Sequence, residues 1–465
     1  MEKFFKVKEH GSNVRTEIVA GLTTFMAMAY ILMVNSNMFA ALEVVSYNAI
    51  YIATALSAVI GTMLMAFLAN LPLALASGMG LNAFLVYTVC FTFGLSYANA
   101  LVLVLFDGII FVILTVTGIR AKLFAAIPDC VRIAIPAGIG LFIAFIGLQD
   151  AGMIVPNAST GVALTSFNLF SGAATWATVM PKLVTLAALV IIAVLSVRKV
   201  KGSVLWGILG GSGLYYVLGF TVDGFYDGFF DKMSFNPFNA FGEWADQAFL
   251  KVFTDGFNFD HYLASHSTAD LVILVLTTAL AFCLVDMFDT LGTLYGACAR
   301  GDMLDKEGKV PNFEKAMLSD AVATMAGAVC GTSTVTTFVE SSAGVAEGGR
   351  TGLAAFSTGV FFFIAMFLSP VAQLIPGAAT AAALIYVGVL MMSCVTNIDW
   401  KDTAVAVPAF MTIAMMAFAY NISYGIAFGL IVYIFVNLFS GTVKKVKPFT
   451  WVIGVLFAVM FFFTH

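Results

Sequence analysis

Apolar stretches of about 20 residues recur from one end of this chain to the other, separated by short polar or charged turns, and that length matches a bilayer crossed by an α-helix. The pattern predicts spans near 17–41, 49–69, 72–92, 96–118, 130–149, 180–198 and 202–220. A second set follows near 270–299, 315–331, 333–349, 352–374, 377–397, 403–418 and 422–440. Seven segments thus precede the long polar interruption at 221–269 and seven follow it. A barrel would instead need short alternating strands. Helices satisfy the rule that every backbone polar group in hydrocarbon needs an internal partner. The last apolar stretch, Phe449 to Phe463, is short and fits either an interfacial helix or a fifteenth span.

Charge orients the pattern. With the N-terminus in the cytoplasm, every Lys and Arg except Lys182, Lys232 and Lys251 falls on the cytoplasmic side, as the positive-inside rule requires. The 221–269 loop carries Asp223, Asp227, Asp231, Glu243, Asp246, Asp255 and Asp260, which suits an external position. The stretch Met1–His10 is charged and lacks an apolar core ahead of a cleavage site, so the first helix is expected to direct insertion.

Seven crossings in the first half would invert the topology of the second, which directs attention to an internal repeat. Leu56–Ala66 matches Leu318–Ala328 at five of eleven positions at an offset of 262, and the same offset carries Gly78 onto Glu340. At an offset of 254, Thr23-Thr24 aligns with Thr277-Thr278, and Met33, Asn35 and Ser36 with Met287, Asp289 and Thr290. The third segment of each half has strand-like or irregular sequence ahead of a Gly-containing helical stretch: Leu71 to Asn82, and Gly331 to Glu340. Each reads as a broken span, a short strand plus a half-helix whose freed N–H groups can hold an acceptor atom. Irregular backbone at that depth must be shielded from lipid, so the two breaks should face each other across a protein-lined cavity. The fold expected is an all-α polytopic membrane protein of about 14 segments in a 7+7 inverted repeat, with broken third and tenth segments.

Composition agrees: 61% of residues are hydrophobic and only 10% charged, which makes lipid the main solvent. The net charge of −4 and the lack of any long basic stretch point away from nucleic acid. The six Cys show no paired metal spacing, so neither zinc nor a disulfide framework is expected. No His-rich metal set, nucleophile–base pair or cofactor loop stands out; a lone Gly78-Met79-Gly80 is not one, and no enzyme activity, metal or cofactor is expected.

The informative residues are acids inside apolar runs, because an ionised group at bilayer depth is costly and by default marks a substrate, ion or proton site. Glu340 lies in the tenth segment; Asp286 and Asp289 lie in the eighth, three residues apart and close to one helical face. Asp107 and Asp320 are expected to support the fold, and Glu347 and Arg350 to pair at the cytoplasmic end. The four histidines, His10, His261, His266 and His465, fall outside the spans, so a carboxylate must carry any coupled proton. Such a site suits a transporter. Central acids unbalanced by an intramembrane Lys or Arg disfavour an organic anion as the solute.

Several ordered motifs then carry a resemblance. Arg15-Thr-Glu-Ile-Val-Ala-Gly-Leu-Thr-Thr-Phe, Gly78-Met-Gly-Leu-Asn-Ala-Phe, Phe288-Asp-Thr-Leu-Gly-Thr-Leu, Glu340-Ser-Ser-Ala-Gly with the following Gly-Gly-Arg-Thr-Gly-Leu, Ile385-Tyr-Val-Gly-Val-Leu-Met and Val407-Pro-Ala-Phe resemble the AzgA-like purine permeases, the adenine, guanine and hypoxanthine branch of the nucleobase-ascorbate transporter superfamily. The resemblance covers nearly the whole chain. It implies a core of segments 1–4 and 8–11 against a gate of 5–7 and 12–14, hence core at 1–118 and 270–374, gate at 119–220 and 375–465, and an extracytoplasmic loop at 221–269. It implies a multi-pass protein of the cell membrane that takes up a purine base with protons by elevator-like alternating access, and a homodimer held through the gate. Residue by residue, it places Asp289 and Glu340 at the superfamily's eighth- and tenth-segment carboxylates, Phe338 at an aromatic position and Asn82 at the polar third-segment residue. Uracil-type relatives carry histidine where this chain has Thr293, which argues against a uracil-type proton site.

The chemistry of a purine fits these residues: a flat face for Phe338, and an edge of N–H donors and acceptors for a carboxylate, the hydroxyls of Ser341 and Ser342, and Asn82. Phe338 equally suits plain packing, and the small polar residues equally suit bonds within the helices. Asp289 is expected as the proton carrier and Glu340 as the base ligand, with Asp286 in a supporting role. The sequence leaves the preferred purine open, and another small solute such as uracil, xanthine or an organic anion on the same fold is the rival reading.

Overall fold

The computed structural model describes residues 1–117, 127–221, 236–305 and 309–463 of the 465-residue chain. Arg120, Lys122, Asp223, Asp227, Asp231, Lys232, Lys306 and His465, used above for topology or excluded from the site, lie outside these residues.

Helix α1 (Val14–Met28) begins where the Asn13 side chain accepts the Thr16 N–H, and α2 (Tyr30–Ala40) continues the same span. Helix α3 (Tyr47–Leu64) is capped by the Ser46 hydroxyl and widens into a π-helical turn through Ala69. Strand β1 (Leu75–Ser77) leads into α4 (Met79–Ala83), prolonged by π-helix to Thr92. Helices α5 (Tyr97–Thr117) and α6 (Asp129–Asp150) follow, then a hairpin absent from the sequence reading, β2 (Ile154–Asn157) and β3 (Gly161–Leu164). Helices α7 (Trp176–Val197) and α8 (Ser203–Thr221) complete the first half.

The second half opens with α9 (Phe238–Gln247) and two short turns, then α10 (Thr268–Arg300), started by a Ser267–Asp270 capping box. After α11 (Phe313–Cys330) come strand β4 (Val335–Thr337), the short α12 (Ser341–Ala346) and α13 (Gly352–Ala365). Helices α14 (Gly377–Met391), α15 (Thr403–Phe418), α16 (Ile422–Phe439) and α17 (Pro448–Phe463) end the chain.

Among the described residues, ten helices are long and apolar enough to cross a membrane, so this is a multi-pass membrane protein. Large apolar side chains such as Phe439 and Phe410 point outward, as contact with lipid requires. Helix α11 carries Glu314, Lys315 and Asp320 and packs against α3 and α5 instead.

Packing sorts the helices into two groups. Helices α1, α2, α3, α5, α10, α11, α12 and α13 pack among themselves around the strands, and α6, α7, α8, α14, α15 and α16 form a second bundle. The groups meet where α2 lies on α14, α4 on α6, and α10 on α16.

At the centre of the first group, β1 and β4 pair antiparallel, Leu75 opposite Thr337, Ala76 opposite Thr336 and Ser77 opposite Val335. The pairing is extended by Gly78 N–H to Thr334 O (3.0 Å) and Phe338 N–H to Ala74 O (3.0 Å). Strands this short cannot satisfy their outer edges alone, and two threonines supply the missing partners. The Thr62 hydroxyl bonds both the N–H and the carbonyl of Leu75 at 3.0 Å, and the Thr324 hydroxyl bonds the N–H and carbonyl of Val335 at 3.2 and 3.3 Å. One device is used twice, at the two positions that the 262-residue offset aligns. Gly331 ends α11 with φ +93°, a left-handed turn that sends the chain back toward β4.

Candidate functional site

The two strands bring the breaks in the third and tenth segments together, and the acids gather around them. Glu340 lies three residues past the end of β4 and immediately precedes α12; its Oε1 accepts a 2.6 Å hydrogen bond from the Tyr30 hydroxyl of α2. Asp289 projects from α10, and its Oδ2 accepts from the Thr336 hydroxyl at 3.4 Å. The two carboxylates are electrostatic neighbours, and each is only half-buried. Neither has an ion-pair partner among the described residues.

The remaining predicted residues surround this pair in different roles. Phe338 is buried and continues β4 through its backbone bond to Ala74. The Ser341 hydroxyl accepts the Ala74 N–H at 3.0 Å, tying the start of α12 to the end of the opposite break. Asn82 is fully buried and its carbonyl oxygen accepts from the Ser77 hydroxyl at 2.7 Å. Ser342 and Thr293 are buried beside Glu340 and one turn beyond Asp289 respectively.

A second buried acidic group lies behind the strands. Asp320 accepts from Thr290 (2.9 Å) and Thr337 (3.3 Å), and Asp286 accepts from Thr324 at 3.3 Å. Asp107 is their electrostatic neighbour from α5. Asp286 therefore faces the threonine that holds β4, away from the Glu340–Tyr30 contact.

The expected Glu347–Arg350 pair is not formed. Glu347 instead takes Lys201, from the turn between α7 and α8, at 2.6 Å. The Arg350 guanidinium donates to the carbonyls of Val345 and Gly349, because the tight turn after α12 folds those carbonyls back onto it.

Two buried polar contacts escaped the sequence reading. Tyr30 sits 310 residues from Glu340, in an apolar run of ordinary composition, and nothing local marks it. Glu17, a fully buried acid in α1, accepts the backbone N–H groups of Arg350 (2.9 Å), Thr351 (3.3 Å) and Ala354 (3.1 Å), capping α13 from another helix. An acid inside the first span was the signal available for Glu17.

A bundle crossing the membrane many times, with half-buried carboxylates at paired breaks in its spans, defines a membrane transporter. The sequence profile of the Permease family matches residues 15–428, and the chain belongs to that family. It is 36% identical over 466 residues to the adenine permease AdeP of Escherichia coli, covering all of this chain and 96% of that one. It is 38% identical over 469 residues to the guanine/hypoxanthine permease PbuO of Bacillus subtilis, covering 98% and 99%. The putative permease MJ0326 of Methanocaldococcus jannaschii is 39% identical over 461 residues, covering 99% and 98%.

Solved structures with the same fold include the transmembrane domain of the cyanobacterial bicarbonate transporter BicA, with TM-score 0.62, 15% identity, and 89% and 97% of the two chains covered. Murine Slc26a9 in its inward-facing state gives TM-score 0.61 at 12% identity, covering 91% and 68%.

Proposed function

We propose that this protein is a purine nucleobase permease, carrying a base of the adenine, guanine and hypoxanthine class across the cell membrane. The observation that carries the reading is the Tyr30–Glu340 contact at the paired breaks. A carboxylate oriented by one donor keeps lone pairs for the ring N–H groups of a base, and no cation competes for it. Full-length similarity to permeases named for adenine and for guanine and hypoxanthine supports the substrate class.

In this reading Glu340 receives the base, Phe338 gives apolar contact from the strand, and Ser341 and Asn82 act through the backbone geometry they hold. Asp289 carries the coupled proton, with Asp286 and Thr293 supporting α10. The first packing group is the core and the second the gate, and the two halves form a 7+7 inverted repeat, a view favoured by the duplicated Thr62 and Thr324 bonds. The core moves against the gate in alternating access, with the N-terminus cytoplasmic. A homodimer through the gate fits the apolar exposed faces of that bundle.

The test is uptake of labelled hypoxanthine, guanine, adenine and uracil into proteoliposomes, with and without an inward proton gradient, by the intact chain and by Glu340→Gln. Gradient-driven purine uptake that disappears in the variant is the expected result. Folded protein that moves no purine overturns the substrate, and uptake unchanged after the gradient collapses overturns the coupling.

A further inference from the structure

A polar, partly open cavity of about 530 Å³ lies at the end of α2 remote from Tyr30, bordered by α9, the start of α3 and the 369–377 turn before α14. Its size is that of a small-molecule site. One wall is a connected polar chain: Glu243 accepts from the Ser46 hydroxyl at 2.5 Å and from the Asn48 amide at 3.0 Å, and Asn48 in turn accepts from the Gln373 amide. Asn37 and Asn239 add amides, and Pro376 an apolar wall. Among the described residues Glu243 has no ion-pair partner, so a carboxylate already oriented by two neutral donors faces the cavity beside groups that both donate and accept.

The cavity is built, not incidental. Helix α9 is fastened over it by the Ser46 N–H to Gln247 (2.7 Å), the Trp244 indole N–H to Cys330 O (2.9 Å) and the Leu250 N–H to Val329 O (3.0 Å). It also bridges the two packing groups, since Asn37 donates to Thr380 of α14 at 3.2 Å and the Tyr47 hydroxyl donates to Ala372 O at 2.9 Å. Asn37 is seven residues beyond Tyr30, which puts both on one face of α2, about 10 Å apart along its axis.

We propose that this cavity is an outer capture site for the transported base, one step before the Glu340 site. The ligand class is a neutral planar heterocycle with adjacent ring N–H and acceptor groups, held by Glu243 and the surrounding amides. The assignment of the ligand rests on the nucleobase reading above.

Alkylation of Asn239→Cys by a membrane-impermeant maleimide tests it in the full chain, because Asn239 is exposed at the cavity and, among the described residues, bonds only Asn236. Saturating hypoxanthine should slow labelling several-fold, also when Glu340→Gln is added, and the protection should vanish when Glu243→Gln is added. No protection in a chain that takes up hypoxanthine overturns the capture site alone. Protection abolished by Glu340→Gln overturns it too, since the effect then originates at the central site. Equal protection by sodium chloride without hypoxanthine identifies a cation site and overturns the proposal. Absence of purine uptake by the folded, unmutated chain overturns the nucleobase reading and this ligand together.

Discussion

Replacing Tyr30 with Phe removes one oxygen from a residue that is 1% exposed, leaving its ring packing in place. What is lost is the 2.6 Å hydrogen bond to Glu340, among the described residues the only donor to that side chain from another helix. A hydrogen bond to a charged group contributes about 1.5–3 kcal/mol. Glu340 is half-buried, so water can occupy part of the vacated position, and the loss belongs at the lower end, about 1.5 kcal/mol or about tenfold in apparent affinity. The assay is the concentration dependence of hypoxanthine uptake in proteoliposomes, with thermal stability in detergent as the control for folding. KM should rise about tenfold while stability changes little. A KM within about twofold of the unmutated chain would refute the role given to this contact.

Other substitutions probe the scaffold. Glu17→Ala takes the carboxylate from the Arg350 and Thr351 N–H groups at the start of α13, while Ala354 keeps its bond to the Thr351 carbonyl, and should cost about 2 kcal/mol, read as a clear fall in thermal midpoint; an unchanged midpoint would show that these groups find other partners. Gly344→Ala drives a methyl into Thr24 Oγ1 and to 2.5 Å from Ala20 O, so α12 must shift, at about 1–3 kcal/mol and with loss of uptake. Gly213→Ala, which meets nothing within 4 Å, is its control and should behave as the unmutated chain. Lys201→Ala breaks a pair whose side chains are 49% and 32% exposed, so its effect on stability should stay below about 1 kcal/mol; a larger drop in the thermal midpoint would mean the pair is more than a surface contact.

The membrane-spanning architecture is written in the chain directly. Hydrocarbon allows only backbone that satisfies itself, so runs of apolar residues declare helices, and acids within them declare function. Glu340 and Asp289 stood out on that ground; Glu340 accepts from Tyr30 and Asp289 from Thr336 beside the paired breaks. The breaks themselves were legible because Pro72, Gly78 and Gly80 interrupt helical sequence at Leu71–Asn82, and Gly331 with a β-branched run does so at Gly331–Glu340.

Tertiary structure decided what each polar group does once the breaks meet. Ser341 and Asn82 look alike in sequence as free hydrogen-bonding groups, yet Ser341 ties two breaks together and Asn82 is occupied by Ser77. Tyr30 becomes a site residue only because α2 passes Glu340, and Glu347 meets Lys201 rather than Arg350 because the turn after α12 engages the guanidinium with carbonyls. Hydropathy acts residue by residue along one dimension, so the sequence reports where each segment lies. Hydrogen-bond pairing depends on which segments cross, and that is a property of the packed chain alone.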